Sequence, residues 1–369
     1  MLTRPQYIAS DIYRTSHLGR GHPLSIPRVS LVTDLIRALG WLDPKVYHDA
    51  PMATVAQLAR FHDRAYIETV RRAEADGRLP DDVKKRYHIG INGNPIYREV
   101  FRRPATTVGA SLHAAGLLKQ GGVVHSPAGG THHGRRDRAS GFCFFNDPVL
   151  GILALLDQGL ERVAYVDLDA HHGDGVQDAF HDDDRVLTVS IHESGRWPHS
   201  GAVEDRAGGM ARNLPVLADF NDDEHAYLME NAVLPLLDWF DPQALVIQGG
   251  CDALQDDPLS KLSLSNNALW RAVRQMRAMA PRVLLLGGGG YNPWAVARCW
   301  TGYWGVLNGF DLHGALPEVA RSVLESVAWR RKQGKNPPPH WYNQLHDSPN
   351  HGPIRDEIRG LARQVLAGL

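Results

Sequence analysis

Five short apolar runs punctuate the chain, at 122–125, 163–166, 186–191, 244–247 and 283–286. Each has the length of a strand, and an uninterrupted apolar run describes a strand buried on both faces, as in a parallel sheet. Between these runs, apolar residues recur at helical period over 106–119, 148–158, 224–240, 266–279 and 293–307. Strands alternating with helices predict an α/β chain built on a doubly wound parallel sheet. Pro148 and Pro293 suit a first helical turn, with Asp147 and Asn292 before them as N-caps, and Pro235 is expected to kink its helix. The segment 332–340, rich in Lys, Gly and Pro, divides the main domain at 1–331 from an appendage at 332–369. That appendage is too short for a core of its own and is expected to pack on the same domain.

The polar residues gather where the apolar runs stop. After Val124 comes HSPAGGTHHGRRDRASGFCFFND, with His132 and His133; after Val166 come Asp167, Asp169, His171 and Asp174. QGGCD after Ile247 ends in Asp252, and GGGGY after Leu286 ends in Tyr291. In a parallel sheet all four ends lie on one side, where open α/β sheets bind their ligands. Asp169 and His171 are two residues apart, so their side chains leave an extended backbone in the same direction, and Asp252 completes a set of three. Two carboxylates and one imidazole suit Zn²⁺ or Fe²⁺, and three protein ligands leave a position open for chemistry. Singly, an Asp-x-His pair is a turn or a cap, loop histidines are common, and a glycine run is a tight turn. Their joint placement at four strand ends favours a site.

Composition narrows the alternatives. Hydrophobic residues make up 43% and charged residues 22%, the balance of a globular domain. A net charge of -1 gives no global attraction to nucleic acid or to an acidic membrane. No apolar stretch reaches the roughly 18 residues of a spanning helix, and MLTRPQYIAS has no apolar signal core, so a cytoplasmic location is expected. Cys143, Cys251 and Cys299 form no CxxC pair and are expected to be reduced and packed. There is no GxSxG elbow, P-loop or HExxH helix.

The blocks GGTHHGRRDRASGFCFFND, YVDLDAHHGDGVQDAF, QGGCDALQDDP and LLLGGGGYNPWAVARCW resemble the four signatures of the histone deacetylase superfamily. That group takes in acetoin-utilisation-type deacetylases and acetylpolyamine amidohydrolases. Weaker matches at GHPLSIPR and LARFHDRAYIE carry the resemblance over roughly residues 17–310. It implies the arginase–deacetylase fold and hydrolysis of an acylated amine at a metal held by Asp169, His171 and Asp252. It also implies that His133 is the general base, that His132 is its electrostatic companion, and that Asp174 and Asp167 orient the two imidazoles. Tyr291 would bind the developing oxyanion, and the glycines before it would let it swing into place. Phe142 and Trp197 would wall a narrow channel, Leu259 would line it, and the carbonyl of Gly141 would accept the substrate amide hydrogen. Arg28 resembles an arginine near the inner end of the channel. A potassium ion near Asp167, Asp169 and Ser190 is a further implication, by analogy alone.

Asn92 and Gly93 stand where peptide-directed relatives often carry an acidic residue, so the substrate is open between an acyl-lysine peptide and a small acylated amine, an acetylated polyamine included. Glu99, Asp256 and Asp257 are candidate partners for a cationic substrate. A binuclear arginase-like site is disfavoured, because the positions of its extra carboxylates are Gly173 and Leu254. A non-catalytic binder of acylated amines is the alternative of another class.

Overall fold

The computed structural model describes residues 4–19 and 21–367. The strands are β1 (Gln6–Ala9), β2 (Tyr47–Asp49), β3 (Gly122–Ser126), β4 (Val163–Asp167), β5 (Val186–Glu193), β6 (Ala211–Val216), β7 (Ala244–Gln248) and β8 (Arg282–Leu286). They form one sheet in the order β2-β1-β3-β8-β7-β4-β5-β6, with every neighbouring pair parallel.

Strand residues alternate between two apolar layers, as the pleat dictates. Ala164, Val166, Leu245, Ile247, Val283 and Leu285 join a cluster with the helices Val29–Ala38, Asn266–Met276 and Pro293–Asn308. Val163, Tyr165, Ala244, Val246, Leu284 and Leu286 join another with Arg102–Leu117 and Asp147–Leu156. The helix Pro293–Asn308 is buried on all sides except near its end. Its three tryptophans each donate their indole N–H to a carbonyl: Trp294 to Leu324, Trp300 to Gly249 and Trp304 to Trp41.

The five apolar runs are strands, and four extend one or two residues into the polar stretch that follows, to Ser126, Asp167, Glu193 and Gln248. Three strands escape the apolar pattern. β1 and β2 are very short, and β6 (ARNLPV) mixes Arg, Asn and Pro; its Pro215 is tolerated because β6 is an edge strand. Asn292 caps its helix, accepting from the N–H groups of Trp294 and Ala295. Asp147 does not cap: Asn146 accepts from Val149 N–H, while Asp147 lies in the first turn. The Asp147 carboxylate instead accepts from Gly130 N–H, Thr131 N–H and the Ser111 hydroxyl, tying down the loop before His132. The kink at Pro235 takes the form of a π-turn over Met229–Val233, between the helices Asp222–Leu228 and Leu234–Phe240.

The C-terminal residues lie against this body. The Trp341 ring packs tilted against Trp294 at 5.3 Å, Arg298 pairs with Asp347 at 2.5 Å, and Arg355 pairs with Glu224 at 2.6 Å. Among the described residues no helix is long and apolar enough to cross a membrane.

Candidate active site

β3, β8, β7 and β4 are consecutive in the sheet. The loops that leave their carboxyl ends therefore meet over its middle, and they line a cleft of about 1030 Å³. At its floor, donor atoms of Asp169, His171 and Asp252 lie within 4.8 Å of one another. His171 Nδ1 is 2.9 Å from Asp252 Oδ2 and 3.2 Å from Asp169 Oδ1. Asp169 Oδ2 accepts from Gly289 N–H at 2.6 Å and from the Gln248 amide at 2.8 Å, and Asp252 Oδ1 accepts from Ala170 N–H at 2.8 Å.

This cluster calls for positive charge. Burial and the neighbouring Asp169 push the Asp252 carboxyl up to about 6. Burial opposes a charged His171, yet its hydrogen bonds to Asp169 and Asp252 outweigh that and push it up to about 10. Two buried carboxylates and an imidazole nitrogen gathered on one point fit a divalent metal ion, with one side open to the cleft.

Two imidazoles stand beside the cluster, their ring centres 3.9 Å apart. His132 Nδ1 donates to Asp167 Oδ2 at 2.7 Å, and that oxygen also accepts from the Tyr165 hydroxyl at 2.7 Å. His133 Nδ1 donates to Asp174 Oδ1 at 2.7 Å, and the other Asp174 oxygen is held by Arg135. The surroundings drive the two rings apart. For His132, burial is outweighed by Asp167 and Asp169, which push it up to about 9. Burial and the charge of His132 push His133 down to about 4. The two rings are thereby driven in opposite directions, the kind of split that separates an electrostatic group from a base.

Tyr291 enters from the β8 loop. Its N–H donates to Asp257 Oδ2 at 2.6 Å, and its hydroxyl, facing the cleft, has no hydrogen-bond partner among the described residues. The glycines before it serve close approach: a Cβ at Gly289 would collide with the carboxylates of Asp252 and Asp169. Arg28 lies behind this loop, donating to Gly288 O at 2.6 Å and lying over the Trp300 ring.

Phe142, Trp197 and Leu259 line the cleft above. Trp197 meets the His133 ring edge to face at 4.6 Å, and Phe142 meets Tyr291 at 6.2 Å. Gly141 has φ +52, and a Cβ there would strike His133 and Trp197. Phe142 is itself left-handed, at φ 67, a conformation costly for an aromatic residue. Asn94 holds it there, accepting from Phe142 N–H at 2.9 Å and donating to His88 O. The Gly141 carbonyl also accepts the thiol of Cys143 at 3.3 Å.

All the site residues named from sequence thus converge on this cleft and the shell beneath it. The candidate mouth carboxylates do not. Asp257 is buried under Tyr291 and Leu259, Asp256 accepts from the Trp341 indole, and Glu99 lies beside Arg98. Asn94, Gln248 and Arg135 belong to the site without standing out in the sequence, although Gln248 and Arg135 lie within the signature blocks and Asn94 lies two residues after Asn92. All three cysteines are free and buried.

Comparison with known proteins agrees with this geometry. The histone deacetylase domain family matches residues 22–307. The chain is 36% identical over 310 residues to putative histone deacetylase 2 of Caenorhabditis elegans, covering 82% of this chain and 61% of that protein. It is 33% identical over 325 residues to the acetoin utilization protein AcuC of Bacillus subtilis, covering 84% of each. The crystal structure of an HDAC homolog from Aquifex aeolicus superposes with a TM-score of 0.94 at 33% identity, over 99% of this chain and 100% of that one. An HDAC homolog complexed with SAHA matches equally well. With the domain match spanning the catalytic loops and the parallel sheet of the arginase–deacetylase fold beneath them, the chain belongs to the histone deacetylase family.

Proposed function

We propose that this protein removes acetyl or related acyl groups from an amine, either acyl-lysine in a peptide or a small acylated amine. Zinc is the ion we assign to Asp169, His171 and Asp252, although Fe²⁺ suits the same donors. When bound, the ion supplies Lewis-acid polarisation of the acyl carbonyl and lowers the pKa of water.

The chain's own groups do the rest. His133, neutral and with Nδ1 engaged by Asp174, takes the proton of the attacking water at Nε2 and returns it to the departing amine. His132, held positive by Asp167 and Asp169, offsets the negative charge that builds up beside it. The unpartnered Tyr291 hydroxyl donates to the oxygen that becomes an oxyanion. Phe142, Trp197 and Leu259 pack an apolar stem, and the Gly141 carbonyl accepts the substrate N–H. Three buried, unpaired cysteines suit a reducing compartment, and we assign the protein to the cytoplasm.

The observation that carries this reading is the Asp169, His171 and Asp252 cluster with two imidazoles beside it, His132 held by Asp167 and His133 held by Asp174. The test is release of acetate from an acetyl-lysine peptide by purified protein before and after chelation. Loss on chelation with recovery on adding Zn²⁺ is expected; full turnover by the stripped protein would overturn the reading.

A further inference from the structure

The rim of the cleft carries charge that the chemistry above does not use. Arg196 and Lys261 line it, on the loops after β5 and β7. Glu193 is the one carboxylate among the described residues that line the cleft, and it is only 7% exposed. Both its oxygens are engaged. The Arg196 guanidinium donates to Oε1 at 2.8 Å and to Oε2 through Nε, while Lys261 N–H donates to Oε2 at 2.8 Å. On its other side the Lys261 carbonyl accepts from Asp219 N–H at 2.8 Å.

The backbone of Lys261 is therefore fixed on both sides. Its exposed ammonium has no ion-pair or hydrogen-bond partner among the described residues. Arg196 and Glu193 cancel as a pair, so Lys261 leaves the rim with one positive charge in excess. Asn92, also at the rim, is neutral, and Glu99, Asp256 and Asp257 are engaged away from it. The two carboxylates beneath the floor are the pair assigned to the divalent ion, whose charge they offset. Among the described residues that line the mouth, no carboxylate is left unpaired to receive a polycation.

Resting on the deacylase reading, we propose that the cleft prefers acylated amines that carry a carboxylate near its mouth, with Lys261 as the group that meets it, and that it disfavours cationic substrates such as acetylated polyamines. The carboxylate comes either from the free end of an acyl-lysine or from an acidic neighbour in a peptide. An exposed ion pair is weak, so each step in charge is expected to change kcat/KM by about 2- to 5-fold at low ionic strength. The effect fades in salt, where the screening length drops to a few ångströms.

The test uses zinc-loaded enzyme and compounds sharing an Nε-acetyl-lysine core: the free acid, the carboxamide, and the peptide amides with Asp or with Lys following, with acetylspermidine beside them. Turnover is measured as kcat/KM, and binding separately by calorimetry. The free acid, the Asp peptide or both should exceed the carboxamide, and the Lys peptide and acetylspermidine should fall below it. Whichever of the two anionic compounds leads identifies the source of the carboxylate. The order should collapse at high salt, invert in Lys261→Glu and flatten in Lys261→Gln. Cationic compounds equal to or better than the anionic ones, or an unchanged order in both variants, would overturn the proposal. If no compound is hydrolysed, the deacylase reading fails, while the calorimetric order still decides whether the rim selects anions.

Discussion

His133 Nδ1 lies 2.7 Å from one oxygen of Asp174, and the other oxygen of that carboxylate is held by Arg135. The imidazole is thereby fixed in one tautomer, with Nε2 left toward the cleft. Because His133 is held down to about 4 and His132 up to about 9, kcat/KM should fall on the acid side as His133 takes up a proton. It should fall on the alkaline side as His132 loses one. The plateau between should be wider than a single ordinary imidazole gives. Initial rates measured across pH in Asp174→Asn should be lower by roughly 10²–10⁴, the range of general acid–base contributions.

The Tyr291 hydroxyl has no hydrogen-bond partner among the described residues, so its removal tests catalysis without touching packing. Tyr291→Phe should melt within a degree or two of the parent while losing roughly 10²–10³ in kcat, as when an oxyanion donor is removed. An unchanged kcat would refute the role given to Tyr291.

In the metal-free protein Asp252 shares His171 with Asp169, at 2.9 Å from its Nδ1. Metal-free Asp252→Asn should therefore melt below the metal-free parent, because the charged hydrogen bond to His171 is lost. Zinc should raise the melting temperature of the parent and not that of the variant, because only the folded parent gains from binding. A variant still stabilised by zinc would remove Asp252 from the ligand set.

Four histidines outside the cluster, His62, His125, His192 and His225, are held neutral by burial, at about 4, 4, 3 and 3. Their folded values lie below the ordinary 6.5, so in the window between, the unfolded chain binds protons that the folded chain does not. Their contribution to stability is complete above about pH 6.5 and is lost as pH falls toward the folded values, at up to about 1.4 kcal/mol per pH unit for each ring. Denaturant midpoints should drop between pH 7 and 5. His225, whose two nitrogens have no partner among the described residues, is the one to replace: His225→Phe should flatten the slope.

What the sequence reveals and what it hides have one physical origin. The five strands buried on both faces are legible because burial demands an unbroken apolar run, whereas short β1 and β2 and the polar edge strand β6 are under no such demand. Asp169 and His171 are legible because two residues of extended chain set their direction. Glu193, Arg196 and Lys261 are not, because the bond that organises them joins residues 68 apart and depends on how two loops meet. Asp257 is the converse case: its charge suits the mouth, but it turns inward to hold the Tyr291 backbone.

The strand order carries a consequence for assembly. β8, the last strand to be synthesised, is also the keystone, since it alone joins β2-β1-β3 to β7-β4-β5-β6. The histidine pair follows β3 on one side of that seam, and the metal ligands follow β4 and β7 on the other. A nascent or truncated chain ending before Arg282 therefore lacks both the strand that joins the two halves of the sheet and Tyr291, which follows that strand.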